Sequence, residues 1–488
     1  MGRLPEALQL RKRPAAVVAG ALLAAVVLVL AIAGLPNGHR NTGDTDNLVA
    51  GTRVALDCLH LQDLTACGAT DARDSTAVGP YPLLQYLPAA VLVKAGLDDG
   101  DVLRGLTVVS LLSFVAVLGL CWAAARRLEW RGWGPLLLAT MLASPLVYQS
   151  TSAFGEMFAA AVALAAVVAA LHRRPWLMAL GALAAPLGKE TLLPFVVLMM
   201  LLVARERRDG WLPPLRLTMP VVAGAVCSAI LTFGFNVFRL DSLSNTQYLN
   251  PLFRTPGVGR KAEFTLAIWV APNGGMTWFW PLAAIIFVAT GVIALLRFVR
   301  REGPRSWMPP LVGCGLVIAF SIGLGAWVSP FGWLSYGNRL MVPIVPAAVV
   351  VCVVVAEREL TRGARAIVNS RALIPAALLV AVAAFPQVRA AWSAHPAILT
   401  ILEPDATCPA PPIVQEDKDL YYFCTSHSMW RLEPSMIEAA AVDGELQGLY
   451  GGLLGALTAG SLVLAAGEVG AKARDRPSED EPRPQPVA

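Results

Sequence analysis

A chain of 488 residues with 56% hydrophobic and only 15% charged side chains is not an ordinary soluble domain, where about a quarter of residues are charged. The apolar residues gather in stretches of roughly the 17–25 residues that a helix needs to cross about 30 Å of hydrocarbon. This predicts an all-α, polytopic transmembrane helix bundle, and the net charge of +5 has meaning only once the charges are placed along it.

In chain order, apolar spans are expected at about 14–34, 102–125, 134–150, 154–171, 176–187, 191–204, 217–235, 280–296, 310–328, 340–356, 372–390 and 446–467, about 12 in all. The fifth and sixth are short for a crossing, so a tilted, broken or re-entrant pair is expected there. Residues 1–13 form a cytoplasmic N-terminal tail in this reading, followed by a transmembrane core over 14–390 with outer loops at 35–101 and 236–279. An outer loop at 391–445, a last transmembrane helix at 446–467 and a disordered cytoplasmic tail at 468–488 complete the chain. With the N-terminus inside, 25 of the 39 Lys and Arg residues fall on the cytoplasmic side, as the enrichment of inner loops in basic residues requires. The expectation is therefore a multi-pass protein of the plasma membrane with both termini inside. Ala31-Ile32-Ala33 resembles a signal-peptide cleavage site, but the apolar run is longer than a usual signal core, so an uncleaved first span is expected.

The first outer loop opens with Gly43-Asp44-Thr45-Asp46. The apolar residues that follow, Leu48, Val49, Val54, Ala55, Leu59 and Leu61, recur at roughly helical spacing and predict an amphipathic helix on the membrane surface. Thr42 or Asp44 then caps that helix through a backbone N–H, or the aspartates do chemistry. Farther on, a proline- and tyrosine-containing stretch from Gly79 to Asp101 predicts a second interfacial helix, with Tyr81 and Tyr86 as interface aromatics.

Ionisable side chains at a membrane edge are costly, so each is a functional candidate: Asp44, Asp46, Glu156, Lys189, Glu190, Arg254 and Arg339. Gly188-Lys189-Glu190-Thr191 is not a phosphate-binding P-loop, because Leu183 stands where the first glycine belongs and no strand precedes it. Lys189 is either half of an interfacial ion pair or a contact for a lipid-linked phosphate. Arg339 either marks the interface or binds phosphate with its planar fork. Cys58 and Cys67 in the first outer loop, and Cys408 and Cys424 in the last, suit two local disulfides in an oxidising compartment. Cys121, Cys227, Cys314 and Cys352 are expected to be buried apolar residues. The basic inner loops are explained by topology and imply no nucleic-acid partner.

Taken in order, these segments resemble the GT-C class of integral-membrane glycosyltransferases, which includes protein mannosyltransferases and aminoarabinose transferases. The counterparts are Gly43-Asp44-Thr45-Asp46, Tyr81-Pro82, Gly188-Lys189-Glu190, Gly275 through Pro281, and Arg339-Leu340-Met341-Val342-Pro343 through Pro346. The resemblance covers about residues 14–356. It implies a polyprenyl-phosphate-linked sugar as donor, an extracytoplasmic glycan, lipid or protein as acceptor, and the lipid bilayer as the site of delivery. Asp44 is implied as the general base, with Asp46 in reserve. Lys189 and Arg339 are implied at the donor phosphate. A divalent cation (Mg, Mn or Ca) on Asp44, Asp46 or Glu190 is compatible with hard oxygen ligands. A transporter or flippase, or a non-catalytic envelope-assembly protein, is the alternative; a transporter would favour repeated halves and charged residues at mid-membrane.

Overall fold

The computed structural model describes residues 14–34, 43–61, 78–79, 81–130, 132–206, 211–245, 254–327, 330–331, 337–359, 370–392, 424–426, 429–430 and 446–472. The architecture is an all-α polytopic bundle. Helix α1 (Pro14–Gly34) is followed by α2 (Gly43–Leu61), α3 (Leu83–Lys94), α4 (Asp99–Ala125), α5 (Trp133–Leu142), α6 (Leu146–Gln149), α7 (Glu156–Leu171), α8 (Pro175–Gly188) and α9 (Leu193–Ala204). Then come α10 (Leu215–Leu240), α11 (Val258–Val270), α12 (Met276–Phe279), α13 (Pro281–Val299), α14 (Pro304–Gly325), α15 (Val345–Glu359), α16 (Ser370–Trp392) and α17 (Leu446–Lys472). Among the described residues, six helices are long and apolar enough to cross a membrane: α4, α10, α13, α14, α16 and α17.

Helix α1 has 21 residues; the other expected spans are helical but shorter, and the breaks have local causes. The stretch 134–150 is split into α5 and α6, because Pro145 cannot continue the ladder and Ser144 turns its hydroxyl onto the Met141 carbonyl at 2.7 Å. The stretch 340–356 becomes a 3₁₀ turn, Arg339–Met341, followed by α15. Helix α10 runs on to Leu240, and α11 lies within the expected outer loop 236–279. Helix α17 continues to Lys472, so the first residues of the expected disordered tail are helical. The two surface helices expected between the first spans are present as α2 and α3. In α2, Leu48 and Val49 are buried while Asp46 and Asn47 are exposed, which is the two-faced pattern that the spacing predicts.

Helices α7, α8 and α9 form the part of the bundle that matters most for the site. Glu156 opens α7 and pairs with Lys189 after α8, while Arg173 after α7 pairs with Glu206 after α9. The chain therefore runs away along α7, returns along α8 and departs again along α9. With 14 and 12 residues, α8 and α9 are only about 21 and 18 Å long at 1.5 Å per residue, short of a full crossing. Close backbone approach holds the hairpin against α7: a Cβ on Gly181 would lie 2.6 Å from the Ala166 Cβ. Helix α15 is the central strut, with Val345 and residues 347–355 at most 1% exposed, and it touches α5, α7, α9, α13 and α14. Its far end is pinned by Glu357, which accepts from the Trp130 backbone N–H at 2.8 Å and from Trp133 Nε1 at 2.9 Å. Cys121, Cys314 and Cys352 are buried as expected, whereas Cys227 is exposed on α10. Exposure of an apolar side chain on a spanning helix fits a face turned to lipid.

Candidate active site

The end of the bundle where α7, α9, α13 and α15 begin collects the polar side chains that the interior excludes. Its base is the segment between α6 and α7. Gln149, Ser150, Thr151 and Ser152 are almost fully buried, and the three hydroxyls satisfy themselves on carbonyls three residues back at 2.7–2.9 Å. Phe154 follows, then Gly155 as N-cap and Glu156 as the first residue of α7. A carboxylate there is favoured by the positive end of the helix dipole.

Glu156 is the hub. Its Oε1 lies 3.8 Å from Lys189 Nζ and 3.5 Å from Arg339 Nε, and all three side chains are at most 15% exposed. Lys189 is placed by the end of α8, whose C-terminal carbonyls favour a cation. Arg339 is placed by the 3₁₀ turn before α15. Its backbone N–H bonds the Phe331 carbonyl at 3.1 Å, and its guanidinium lies 4.3 Å over the Phe154 ring. Glu190, the next residue after Lys189, is paired with Arg239.

Arg239 is the functional candidate that sequence reasoning missed. It lies in the last turn of α10 with no solvent exposure. Its guanidinium reaches Glu190, the Tyr81 carbonyl, and the Asn236 side-chain oxygen at 3.0 and 2.6 Å, and it stacks 4.8 Å from the Phe235 ring. The signal available was an arginine three residues after an asparagine at the edge of an apolar span, in Asn236-Val237-Phe238-Arg239, a spacing that puts both on one helix face.

Neighbouring segments close around this cluster. Gln85 of α3 donates to the Gly188 carbonyl at 3.0 Å and packs against Gly155, where a Cβ would collide with its side chain. Tyr81 and Tyr86 meet edge to face at 6.2 Å, and Tyr86 meets Phe235 at 5.6 Å. One apolar cluster joins Leu48 and Val49 of α2 to Tyr86, Ala153 and the rim of α10. A second anchor ties α2 to α4, where Arg53 grips Asp99 at 2.9 and 2.6 Å. The turn before α12 arrives on the same end. Gly274 takes φ +124° against Phe331, and Gly337, at φ +66°, leaves no room for a Cβ beside Phe279 and Pro145. Asn338, between that glycine and Arg339, is fully buried and its side-chain amide has no hydrogen-bond partner among the described residues.

The structure thus brings Glu156, Lys189, Glu190 and Arg339 together, with Arg239 added. Asp44 stands in the first turn of α2, and its side chain falls outside the described residues; Asp46 is exposed. Arg254 is exposed, and its backbone pairs with Trp327. Among the described residues no group of three or more His, Cys, Asp or Glu residues is arranged to hold a metal, and the carboxylates of Glu156 and Glu190 face cations of the protein itself. The free cysteines among the described residues are Cys121, Cys227, Cys314 and Cys352. Cys58 and Cys424 are not among them, and Cys67 and Cys408 lie outside the described residues.

The chain is similar to ArnT. For ArnT from Cupriavidus metallidurans bound to undecaprenyl phosphate, identity is 17% and the TM-score 0.47, covering 92% of this chain and 77% of the other. For the apo state of the same protein, identity is 16% and the TM-score 0.36, covering 78% and 67%. No protein-family model and no curated protein sequence matches the chain.

Proposed function

We propose that this chain is a membrane glycosyltransferase of the GT-C kind, moving a sugar from a polyprenyl-phosphate donor to a hydroxyl of an extracytoplasmic acceptor. The observation that carries the reading is the shared hold of Lys189 and Arg339 on the one carboxylate of Glu156. With Arg239 and Glu190 beside them, three cations meet two carboxylates in a nearly dry site. Cationic side chains gathered there suit a lipid-linked phosphate, whose charge grows as the sugar leaves.

In this reading the acceptor oxygen attacks the sugar's anomeric carbon from the face opposite the phosphate. The carbon–oxygen bond to phosphate breaks, its electron pair stays on the lipid phosphate, and the anomeric configuration inverts. The hydroxyl proton passes to Asp44, since an alcohol needs a carboxylate within reach to accept its proton as the new bond forms; Asp46 is the reserve. Lys189 and Arg339 compensate the departing phosphate. The site faces outward, both termini face the cytoplasm, and the cysteine pairs Cys58–Cys67 and Cys408–Cys424 staple their outer loops. The support is the gathering of Glu156, Lys189, Glu190 and Arg339 at one end of the bundle, and the packing of α2 into the apolar cluster at that end.

The test is Asp44→Asn in cells, with envelope glycans compared by mass spectrometry against deletion of the whole protein. Loss of a general base costs typically about 10²–10⁴ in rate, so the variant should reproduce the deletion phenotype at normal expression. A well-expressed variant with unchanged glycans, where deletion changes them, overturns the catalytic assignment and favours an assembly or transport role.

A further inference from the structure

Two buried polar side chains at the Glu156 end of the bundle make no hydrogen bond among the described residues. The first is Asn338, the N-cap of the 3₁₀ turn that carries Arg339. An asparagine at that position ordinarily bonds the backbone of the turn it opens, but this side chain makes no capping bond. Its backbone is engaged, since the carbonyl accepts from the Met341 N–H at 3.2 Å. Its amide is fully buried, and neither the oxygen nor the nitrogen has a partner. The second is Trp280, between α12 and α13, which is 1% exposed and whose indole N–H is likewise unpartnered. Buried indoles usually find an acceptor, and here Trp133 and Trp278 do, on Glu357 and on the Val270 carbonyl.

The chain brings these two groups into one neighbourhood. Gly337 approaches Phe279 so closely that a Cβ would lie 2.9 Å from the ring; Asn338 follows the one and Trp280 follows the other. Asn338 is the centre of an inverse γ-turn, with φ −84° and ψ 84° and the Arg339 N–H on the Gly337 carbonyl at 3.1 Å. Such a turn can shift to admit a ligand group without unwinding a helix. Leaving a buried amide unbonded is costly, and each case in a folded protein calls for a reason. An amide offers a donor and an acceptor, and an indole N–H offers a donor. Together they suit a neutral group that both gives and takes hydrogen bonds, which is what a hydroxyl does. Consecutive α-carbons are about 3.8 Å apart, so a group held by Asn338 is the neighbour of the phosphate assigned above to Arg339. In a lipid-linked donor the neighbour of the phosphate is the sugar.

We propose that Asn338 is a specificity-determining residue for the donor, whose sugar hydroxyls bond its amide, with the Trp280 indole N–H donating to the same sugar. This rests on the glycosyltransferase reading and narrows it to the residues that select the sugar. Purified full-length protein in detergent is titrated with undecaprenyl phosphate, and with undecaprenyl phosphate carrying glucose, mannose or arabinose. Dissociation constants are read by native mass spectrometry. Wild type should bind at least one sugar-bearing lipid more tightly than the bare lipid. Asn338→Leu, of nearly the same size, should bind the bare lipid as wild type does and lose about tenfold on the preferred sugar-bearing one, the effect of one or two neutral hydrogen bonds. Trp280→Phe, which keeps an aromatic ring in the core, should lose about fivefold in the same selective way. Three results overturn the proposal: no sugar preference in wild type, the same preference in either variant as in wild type, or loss of the bare lipid along with the sugar-bearing one, which marks a structural role. Wild type that binds none of the four lipids is a different failure, because it removes the glycosyltransferase reading itself.

Discussion

Replacing Glu156 by Gln removes a negative charge that two buried cations share. At an effective dielectric of about 20, a unit pair at 3.5–3.8 Å attracts by roughly 4–5 kcal/mol before desolvation is counted. Breaking a buried pair from one side costs about 3–5 kcal/mol, because the remaining charge is left without a partner. The two contacts at Glu156, 3.8 Å to Lys189 and 3.5 Å to Arg339, are longer than good hydrogen bonds, so the lower end is expected, about 3 kcal/mol. The assay is unfolding of the purified protein in mixed micelles, followed by tryptophan fluorescence. Lys189→Met and the double variant are measured alongside. The double variant should recover part of the loss, with a coupling of at least about 1 kcal/mol. Added phosphate should restabilise Glu156→Gln more than wild type, since an anion that binds the folded state takes the place of the missing carboxylate. Strict additivity of the two substitutions, with no extra effect of phosphate, would refute the claim that Glu156 holds the cations in readiness for an anion.

Two further substitutions probe neighbouring contacts. Arg239→Lys keeps the charge but cannot span Glu190, the Tyr81 carbonyl and Asn236 together, so it should cost about 3 kcal/mol. Hydrogen exchange around residues 81–86 should rise several-fold; unchanged exchange would show that Arg239 does not anchor α3. At the other end, His172 is held below its ordinary value, first by burial and then by the Arg127 charge, and Arg127 Nε donates to its Nδ1 at 3.0 Å. A depressed histidine contributes fully above the unfolded value of about 6.5, and its contribution is lost as pH falls through the folded value, when the unfolded chain takes up a proton that the folded chain refuses. Stability between about pH 7 and 5 should therefore fall less steeply in His172→Gln; equal slopes would exclude that role.

What the sequence made legible follows from cost. Apolar spans are visible because lipid tolerates little else, and charges at their ends are visible because they are the exceptions. Glu156, Lys189, Glu190 and Arg339 were therefore candidates before any coordinates, and the packing brings all four to one end. What a linear reading lacks is the pairing. Glu156 reads as the start of a span and Lys189 as the end of another; only the reversal of α7 into α8 places them 3.8 Å apart. Arg239 was lost for the related reason that a terminal-turn arginine looks like loop until its partners, 49 residues away at Glu190 and on α3's approach at Tyr81, are folded around it. The breaks at Pro145 and in the approach to α15 escaped because mean hydropathy does not change there; only the backbone does. These breaks are also what the site needs. An uninterrupted helix through Ser144 to Phe154 or through Arg339 to Val345 would satisfy its own backbone and offer no irregular end at which charged side chains gather. The same prolines and glycines that interrupt the spans thus let the polar cluster form at the bundle's end.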